Sequence, residues 1–310
     1  MELLVQFLVL TVGFVMLVKG ADWFVDGAAG IADRFGVPQL VIGLTIVAMG
    51  TSAPEAAVSI TAALKGSADI TIGNVIGSNI LNVLIILGIT SVIVPVAVAK
   101  STIRYEIPYM LLITGLLLLL GYTGNEIGFS EGVILWLAFI LYLSYLFVMA
   151  KKNKEEVQED AQKKTIWKLI SGATVGLVLI VWGSDVTVDA ATAIAQYVGL
   201  SERFIGLTIV ALGTSLPELF TSVSAAIKGK ADIAIGNIVG SNIFNILFVV
   251  GTTALITPVT FAPGFAIDTL VAIAAGALLF ICVIRAQKLT RGGGALMLLG
   301  YIGYFIYLLK

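Results

Sequence analysis

The stretch IGLTIVAMGTSAPE at residues 42–55 decides the fold, because it recurs as IGLTIVALGTSLPE at residues 205–218. A second stretch, ADITIGNVIGSNILN at residues 68–82, recurs as ADIAIGNIVGSNIFN at residues 231–245. Both pairs have the same offset of 163 residues, the distance from Glu55 to Glu218. An ungapped self-match over about 60 positions indicates a gene duplication. The chain is therefore expected to consist of two related halves.

Composition places both halves in a membrane. Of 310 residues, 59% are hydrophobic and 12% are charged, and the mean hydropathy is +1.06, whereas about a quarter of the residues in soluble domains are charged. About 20 apolar residues cross the hydrocarbon core. Ten such spans are predicted, near 3–19, 37–64, 70–97, 105–121, 132–150, 167–186, 204–227, 233–257, 267–284 and 293–309. Residues 20–36 and 187–203 are expected to extend the first and sixth helices.

The predicted spans divide into two five-helix repeats, residues 1–150 and 167–310, within one integrated membrane domain. Because five is odd, the second repeat enters the membrane in the opposite sense, as in many transporters. We therefore predict an all-α membrane protein with ten transmembrane helices in two inverted repeats. With the N-terminus outside, fifteen of the eighteen Lys and Arg residues lie on the inner side, as expected for cytoplasmic loops. This predicts a multi-pass protein of the cell (plasma or inner) membrane, with both termini outside and the charged segment 151–166 in the cytoplasm.

Several classes of function are excluded by what the sequence lacks. There is no histidine, and Cys282 is the only cysteine, which removes zinc–histidine sites, Ser-His triads and intramolecular disulfides. A net charge of −1 argues against nucleic acid as a partner. No HExxH, GxSxG or GxxxxGK[ST] motif is present, so neither an enzyme nor an ATP-driven pump is expected. No cofactor and no obligate protein partner is predicted.

Two acidic residues lie well inside predicted spans, and they are equivalent in the two repeats: Glu55 and Glu218. Every basic residue falls in a loop or near a span end, so neither glutamate has a fixed positive partner in the hydrocarbon. A carboxylate at the bilayer centre costs at least about 2.5–3.5 kcal/mol. Each is therefore protonated, or both face a cavity where a mobile cation neutralises them. Four further acids recur nearer the span ends and are not taken as ligands: Asp22, Asp26, Asp185 and Asp189.

Oxygen-bearing residues surround each glutamate, which favours the cation. Thr51 and Ser52 precede Glu55 by four and three residues, on the same helix face. Pro54 has no N–H, so the carbonyl of Gly50 loses its helical donor and the turn loosens. The second repeat has the equivalent residues Gly213, Thr214, Ser215 and Pro217. In the following span of each repeat, one helix face carries Asn74, Ser78 and Asn82, or Asn237, Ser241 and Asn245.

These ligands are carboxylate, amide, hydroxyl and carbonyl oxygens, without nitrogen or sulfur. Hard cations prefer such ligands, and Ca²⁺ takes six to eight oxygens in flexible geometry. A purely structural interpretation stays open for Asn74 and Asn237, because intramembrane amides often bond between helices. The two glutamates carry −2, which one Ca²⁺, two Na⁺ or two protons would neutralise. This equivalence is a basis for ion exchange.

The paired motifs, GTSAPE with GNVIGSNILN and GTSLPE with GNIVGSNIFN, resemble the α-repeats of the cation/Ca²⁺ exchanger superfamily, specifically its prokaryotic sodium/calcium exchanger branch. The resemblance covers the whole chain. It implies that the second, third, seventh and eighth helices hold the ions while the first and sixth slide past them. It implies Ca²⁺ binding by Glu55 and Glu218 with the carbonyls of Thr51 and Thr214. It also implies neighbouring Na⁺ sites at Ser52, Ser78, Asn82, Ser215, Ser241 and the carbonyls of Ala48 and Ala211.

One position departs from that family, since related exchangers often carry an aspartate where this chain has Asn245. With Asn82 and Asn245 both amides, the site holds two carboxylates instead of three. We expect secondary active antiport, in which Na⁺ influx drives Ca²⁺ extrusion across the lipid bilayer. Ca²⁺/H⁺ exchange on the same scaffold is the alternative, because the glutamates themselves could carry protons.

Overall fold

The computed structural model describes residues 2–65, 68–153, 165–199 and 211–308. The elements of the first half are α1 Glu2–Phe35, α2 Gln39–Thr51, α3 Ala53–Leu64, α4 over residues 69–93, β1 Val96–Ala97, α5 Thr102–Gly124, β2 Glu126–Ile127 and α6 Phe129–Lys152. Those of the second half are α7 Ile166–Tyr197, α8 Ala211–Gly213, α9 Leu216–Ile227, α10 Ala231–Ile256, β3 Val259–Thr260, α11 Pro263–Ile284, β4 Lys288–Leu289 and α12 Arg291–Leu308. The element order of the first half thus recurs in the second.

The described part of the chain contains seven helices long and apolar enough to cross a membrane, or eight when the bent pair α2–α3 counts as one span. Two predicted spans remain. The one at 204–227 includes α8 and α9, but its first residues lie outside the described ranges. The one at 293–309 corresponds to α12, whose 18 residues are near the lower limit for a span. The chain is a predominantly helical, multi-pass membrane protein.

The two longest helices are the first of each half. α1 has 34 residues and α7 has 32, so each is about 50 Å long at 1.5 Å per residue. The predicted extension of the first span through residues 20–36 is confirmed as far as Phe35, and that of the sixth as far as Tyr197. Both helices exceed the roughly 30 Å hydrocarbon core, so they tilt or project from it.

The all-α prediction is wrong in one detail, because four two-residue strands follow the ends of helices. β1 pairs with β4, and β2 pairs with β3, both antiparallel. Each ladder joins one half of the chain to the other. The predicted third span at 70–97 is correspondingly too long, since α4 ends at Ile93 and Pro95 follows. The residue before a proline is driven out of the helical region, and the extended backbone then pairs across the halves.

The core lies around α4 and α10. Most of α10 and most of α4 is buried, whereas α1, α5, α6, α7 and α11 each bury about a third of their residues or fewer. These outer helices expose large apolar side chains such as Phe7 and Phe147, as expected of a surface facing lipid. α10 packs directly on the backbone of α2: a Cβ at Gly240 would lie 2.8 Å from the Cα of Leu44. The predicted ion-binding motifs of α2–α3, α4 and α10 therefore lie in the protein interior.

Candidate functional site

Each candidate glutamate lies in the first turn of a half-helix. α2 ends at Thr51, Ser52 leaves the helical region (φ −85°, ψ 7°), and α3 restarts at Ala53 with a bend of 49°. Pro54 occupies the first turn of α3, where its missing N–H costs α3 no hydrogen bond of its own but leaves the Gly50 carbonyl at the end of α2 without a helical donor. The carboxylate of Glu55 thus lies at the positive end of a helix dipole, which favours negative charge.

The second half repeats this break. Thr214 and Ser215 separate α8 from α9, Ser215 has nearly the same angles as Ser52 (φ −92°, ψ 2°), and Pro217 and Glu218 fall in the first turn of α9. The first helix is thus interrupted at Ser52, one residue beyond the predicted Thr51, and the second at a turn that includes the predicted Thr214. That the prolines cause both interruptions stays a prediction.

The two carboxylates meet in the interior. Glu55 and Glu218 are both fully buried. Ser52 Oγ donates to Glu218 Oε1 at 2.8 Å, across the boundary between the halves, and Ser78 Oγ donates to Glu55 Oε1 at 3.4 Å. Within the described ranges no lysine or arginine forms an ion pair with either glutamate. The second oxygen of each, Oε2, is buried and has no hydrogen-bond partner among the described residues.

A ring of four asparagines closes the site between α4 and α10. Asn79 and Asn242 each donate to the other's backbone carbonyl, at 3.2 and 3.1 Å. Asn82 Nδ2 donates to Asn242 Oδ1 at 2.9 Å, and Asn245 Nδ2 donates to Asn79 Oδ1 at 3.2 Å. The amide nitrogens of Asn82 and Asn245 are therefore used, but their buried Oδ1 atoms accept no hydrogen bond from the residues that the structure describes. The ring orients two amide oxygens that remain available as ligands.

Asn74 and Asn237 make bonds within their own halves. Asn237 Nδ2 donates to Ser222 Oγ at 2.9 Å and to the Glu218 carbonyl at 3.4 Å, and Asn74 bonds Ser59 and the Glu55 carbonyl in the same way. In addition, Thr51 Oγ1 donates to Asn237 Oδ1 at 2.9 Å. These bonds agree with the structural interpretation of the two asparagines, since they attach the half-helices to α4 and α10.

The remaining predicted residues differ in their burial and in their contacts with the site. Ser241 Oγ donates to the Ala48 carbonyl at 3.4 Å, which brings both into the site. Ser215 is buried, yet its Oγ has no partner in the described part of the chain, and Thr214 is half-buried. The Gly213 carbonyl accepts a hydrogen bond from Ser184 of α7 at 2.6 Å. Gly50 is half-buried, and Ala211 begins α8 at the edge of the described residues.

Sequence reasoning missed two features. Asn79 and Asn242 were not singled out, although they occupy equivalent positions of the repeated GSNI motif, and that repetition was the available signal. The helical turns at Asn82–Ile86 and Asn245–Val250 widen to π-helix. Such turns are frequent at functional sites, and here each begins at a ligand candidate. No pattern in the sequence predicted these π-helical turns.

The site offers oxygen ligands and negative charge. Its charged groups are the two carboxylates, and no cluster of three acidic, histidine or cysteine side chains occurs in the described ranges. Two buried carboxylate oxygens and two buried amide oxygens have no donor among the described residues. Leaving such groups without partners costs free energy, which a dehydrated hard cation would recover. The arrangement is suited to binding Ca²⁺ or Na⁺.

Known proteins resemble the chain over nearly its whole length. The profile of the family described as "Sodium/calcium exchanger protein" matches residues 5–148 and 168–310. The putative antiporter CaxA of Alkalimonas amylolytica is 40% identical, with 97% of this chain and 98% of that protein covered. The sodium/calcium exchanger MaX1 of Methanosarcina acetivorans is 32% identical, with 98% of each covered.

Solved structures give the same result for the fold. The sodium-calcium exchanger NCX_Mj, soaked with zero Na⁺ and Ca²⁺, superposes with a TM-score of 0.85 at 31% sequence identity. The match covers 99% of both chains. The likeness therefore extends over both halves.

Proposed function

The chain belongs to the sodium/calcium exchanger protein family, and from this premise we propose that it exchanges Na⁺ for Ca²⁺ at a site built on Glu55 and Glu218. As a member of that family it is a cation/Ca²⁺ antiporter, not an enzyme, and its substrates are the transported ions. One observation supports the site most directly. Equivalent glutamates of the two halves are fully buried, are linked across the halves by the hydrogen bond from Ser52 to Glu218, and form no ion pair among the described residues.

Ca²⁺ and Na⁺ use different ligands of the site, because the divalent ion requires more negative charge than the monovalent one. Ca²⁺ binds between the two carboxylates, with the carbonyls of Thr51 and Thr214 at the helix breaks. When Ca²⁺ is absent, Na⁺ binds at the neighbouring neutral oxygens, namely those of Ser52, Ser78, Asn82, Ser215, Ser241, Asn245 and the carbonyls of Ala48 and Ala211. The unpartnered Oε2 and Oδ1 atoms support this division, because each is a strong acceptor with its other atoms already oriented by hydrogen bonds.

Exchange follows from the charge of the site. One Ca²⁺ or two Na⁺ neutralise its −2, whereas both species together would leave excess positive charge in a low-dielectric interior. The site therefore holds either Ca²⁺ or Na⁺. Without a bound ion, the site carries two unneutralised carboxylates, so the ion-free protein changes between the two access states least readily. Transport of one ion in one direction therefore requires return transport of the other ion.

The membrane arrangement follows the repeats. Residues 1–150 and 167–310 form two inverted five-helix repeats, ten spans in all, in the cell membrane. Both termini lie outside, and the charged segment 151–166 lies in the cytoplasm. The correspondence of helices and strands at an offset of about 163 residues supports the repeats, and the distribution of Lys and Arg supports the orientation. α1 and α7 slide along the core to open the site to each side in turn.

The experiment compares two driving gradients in proteoliposomes that contain the purified chain. An outward Na⁺ gradient should drive Ca²⁺ uptake with no pH gradient present. A pH gradient without Na⁺ should drive none. Uptake that responds to the pH gradient alone would identify Ca²⁺/H⁺ exchange instead, and uptake without any counter-ion would identify a channel.

A further inference from the structure

A cluster of charged residues attaches α1 to the end of α9, outside the ion site. Lys228 follows α9, and its Nζ lies 2.9 Å from Asp26 Oδ1 and 3.3 Å from Asp22 Oδ1, both on α1. Nζ also donates to the Asp22 carbonyl at 2.8 Å, and Ser224 Oγ donates to Asp22 Oδ1 at 2.8 Å. One ammonium group is therefore shared by two carboxylates and a backbone carbonyl.

The equivalent residues of the other half make no such contact. Lys65, Asp185 and Asp189 correspond to Lys228, Asp22 and Asp26 at the 163-residue offset. All three lie within the described ranges, all are exposed, and no ion pair joins Lys65 to either aspartate. The sequence thus encodes two copies of the cluster, and this conformation forms one of them.

The ion site shows the same asymmetry through different residues. Ser52 of the first half reaches Glu218 at 2.8 Å. Its equivalent, Ser215, does not reach Glu55, and its buried Oγ has no partner among the described residues. The two halves therefore hold different conformations at the site and at the charged cluster.

Related halves can exchange their conformations. In an inverted-repeat transporter, access alternates when one repeat or bundle moves against the other around the fixed site, and we expect the state open to the opposite side to have each half in the conformation that the other holds here. That exchange breaks the contacts of Lys228 and makes those of Lys65. We propose that Lys228 with Asp22 and Asp26, and Lys65 with Asp185 and Asp189, are alternative ion-pair latches that position the α1–α7 pair in the two access states. This inference rests on the proposed alternation of access.

The packing of α1 on α7 lets either latch act on both helices. A Cβ at Gly20 would lie 2.8 Å from the Gly176 carbonyl oxygen, and one at Gly176 would lie 2.4 Å from the backbone nitrogen of Phe24. Helices in such backbone contact move together, because there is no side-chain layer between them to absorb a displacement. Formation of the Lys228 ion pair with α1 therefore disfavours formation of the Lys65 ion pair with α7.

The first test measures the apparent Ca²⁺ affinity at each membrane face, in right-side-out and inside-out vesicles. Lys228→Ala should shift the two affinities in opposite directions by about two- to fivefold, the effect of partly exposed ion pairs. Lys65→Ala should shift both with the reverse sign, and Lys228→Arg should restore the wild-type values. A purely structural role would weaken both faces alike. Shifts of the same sign in the two alanine variants, or none, would overturn the proposal.

The second test asks whether both latches form during turnover. In a Cys282→Ser background, the pairs Asp26→Cys with Lys228→Cys and Asp189→Cys with Lys65→Cys are treated with a short reducible thiol cross-linker. Both pairs should cross-link, and each cross-link should stop Ca²⁺ transport until reduction restores it. The mixed pair Asp26→Cys with Lys65→Cys is the control and should not react.

Failure of the latch is distinguishable from failure of the proposed coupling ion. If the Lys65 pair does not cross-link while the same vesicles transport Ca²⁺, the latch proposal is wrong and the exchange stands. If Na⁺ drives no transport but both pairs cross-link under a pH gradient, the coupling ion is wrong and the latches stand.

Discussion

Replacing Glu218 by glutamine removes one charge from the proposed site and little else. Glu218 Oε1 accepts the 2.8 Å bond from Ser52, and a glutamine oxygen can keep that bond. What is lost is the negative charge and the unpartnered Oε2. Removing one partner of a buried charge pair costs about 3–5 kcal/mol. For Ca²⁺ bound between two carboxylates, this corresponds to a loss of affinity of roughly two to three and a half orders of magnitude.

The same substitution should have the opposite effect on the ion-free protein. A buried carboxylate without a full set of partners is costly, so neutralising it leaves the melting temperature unchanged or raises it. The wild-type chain should gain about 2.7 kcal/mol of stability at a Ca²⁺ concentration one hundred times its dissociation constant. Glu218→Gln should gain almost none at that concentration. The variant thus separates loss of binding from loss of folding.

The assay combines Ca²⁺ uptake in proteoliposomes with thermal unfolding in detergent, with and without Ca²⁺. Glu55→Gln should behave as Glu218→Gln does, because the two positions are equivalent. Glu106→Gln is the matched control, since Glu106 is also buried but lies on α5 and bonds Tyr145 of α6. It should retain both uptake and the Ca²⁺-dependent shift. Wild-type uptake together with a wild-type thermal shift in Glu218→Gln would refute the assignment of the site.

Three further outcomes are expected. Exchange by the wild-type chain should be insensitive to an imposed membrane potential, because Ca²⁺ and two Na⁺ neutralise the site equally. Asn245→Asp adds a third carboxylate and should make exchange sensitive to the membrane potential. An unchanged response in this variant would contradict the argument that the charge of the site sets the ion ratio. Asn82→Ala should raise the half-saturating Na⁺ concentration several-fold with little change for Ca²⁺, measured by Na⁺-dependent Ca²⁺ efflux; equal loss for both ions would remove Asn82 from the Na⁺ set. Gly240→Ala should destabilise the protein by about 1–3 kcal/mol through overpacking on Leu44, read as a lower melting temperature. Gly77→Ala at the equivalent position should leave the melting temperature unchanged, because no described atom lies within 4 Å of the new Cβ. Equal destabilisation by both substitutions would contradict the close packing of Gly240 on Leu44.

Much of the fold could be predicted because a membrane restricts the alternatives. Apolar length predicted the helices, and the repeated motifs predicted the equivalence of α3 with α9 and of α4 with α10. The two prolines predicted the interrupted helices, since the missing N–H acts locally. The strands β1–β4 were missed because two-residue ladders carry no periodic signal and depend on loops that meet only after the helices pack.

The candidate site was predictable as a set of residues. Glu55, Glu218 and the serines and asparagines of the motifs could be found from hydropathy and repetition alone. The Asn79–Asn242 bonds could not, because they join residues 163 positions apart, and spacing within one helix says nothing about register between two.

The sequence by itself determined that two equivalent acids lie within apolar spans, since burial in lipid depends on local composition. Only the tertiary structure decided which oxygens keep a free lone pair, that Ser52 reaches Glu218 while Ser215 reaches no described partner, and that Lys228 rather than Lys65 holds its aspartates. The motifs that carry these residues are repeated almost unchanged, so their sequence does not tell which copy forms each contact. The difference arises from how the two halves pack against each other, which spacing within one repeat does not encode.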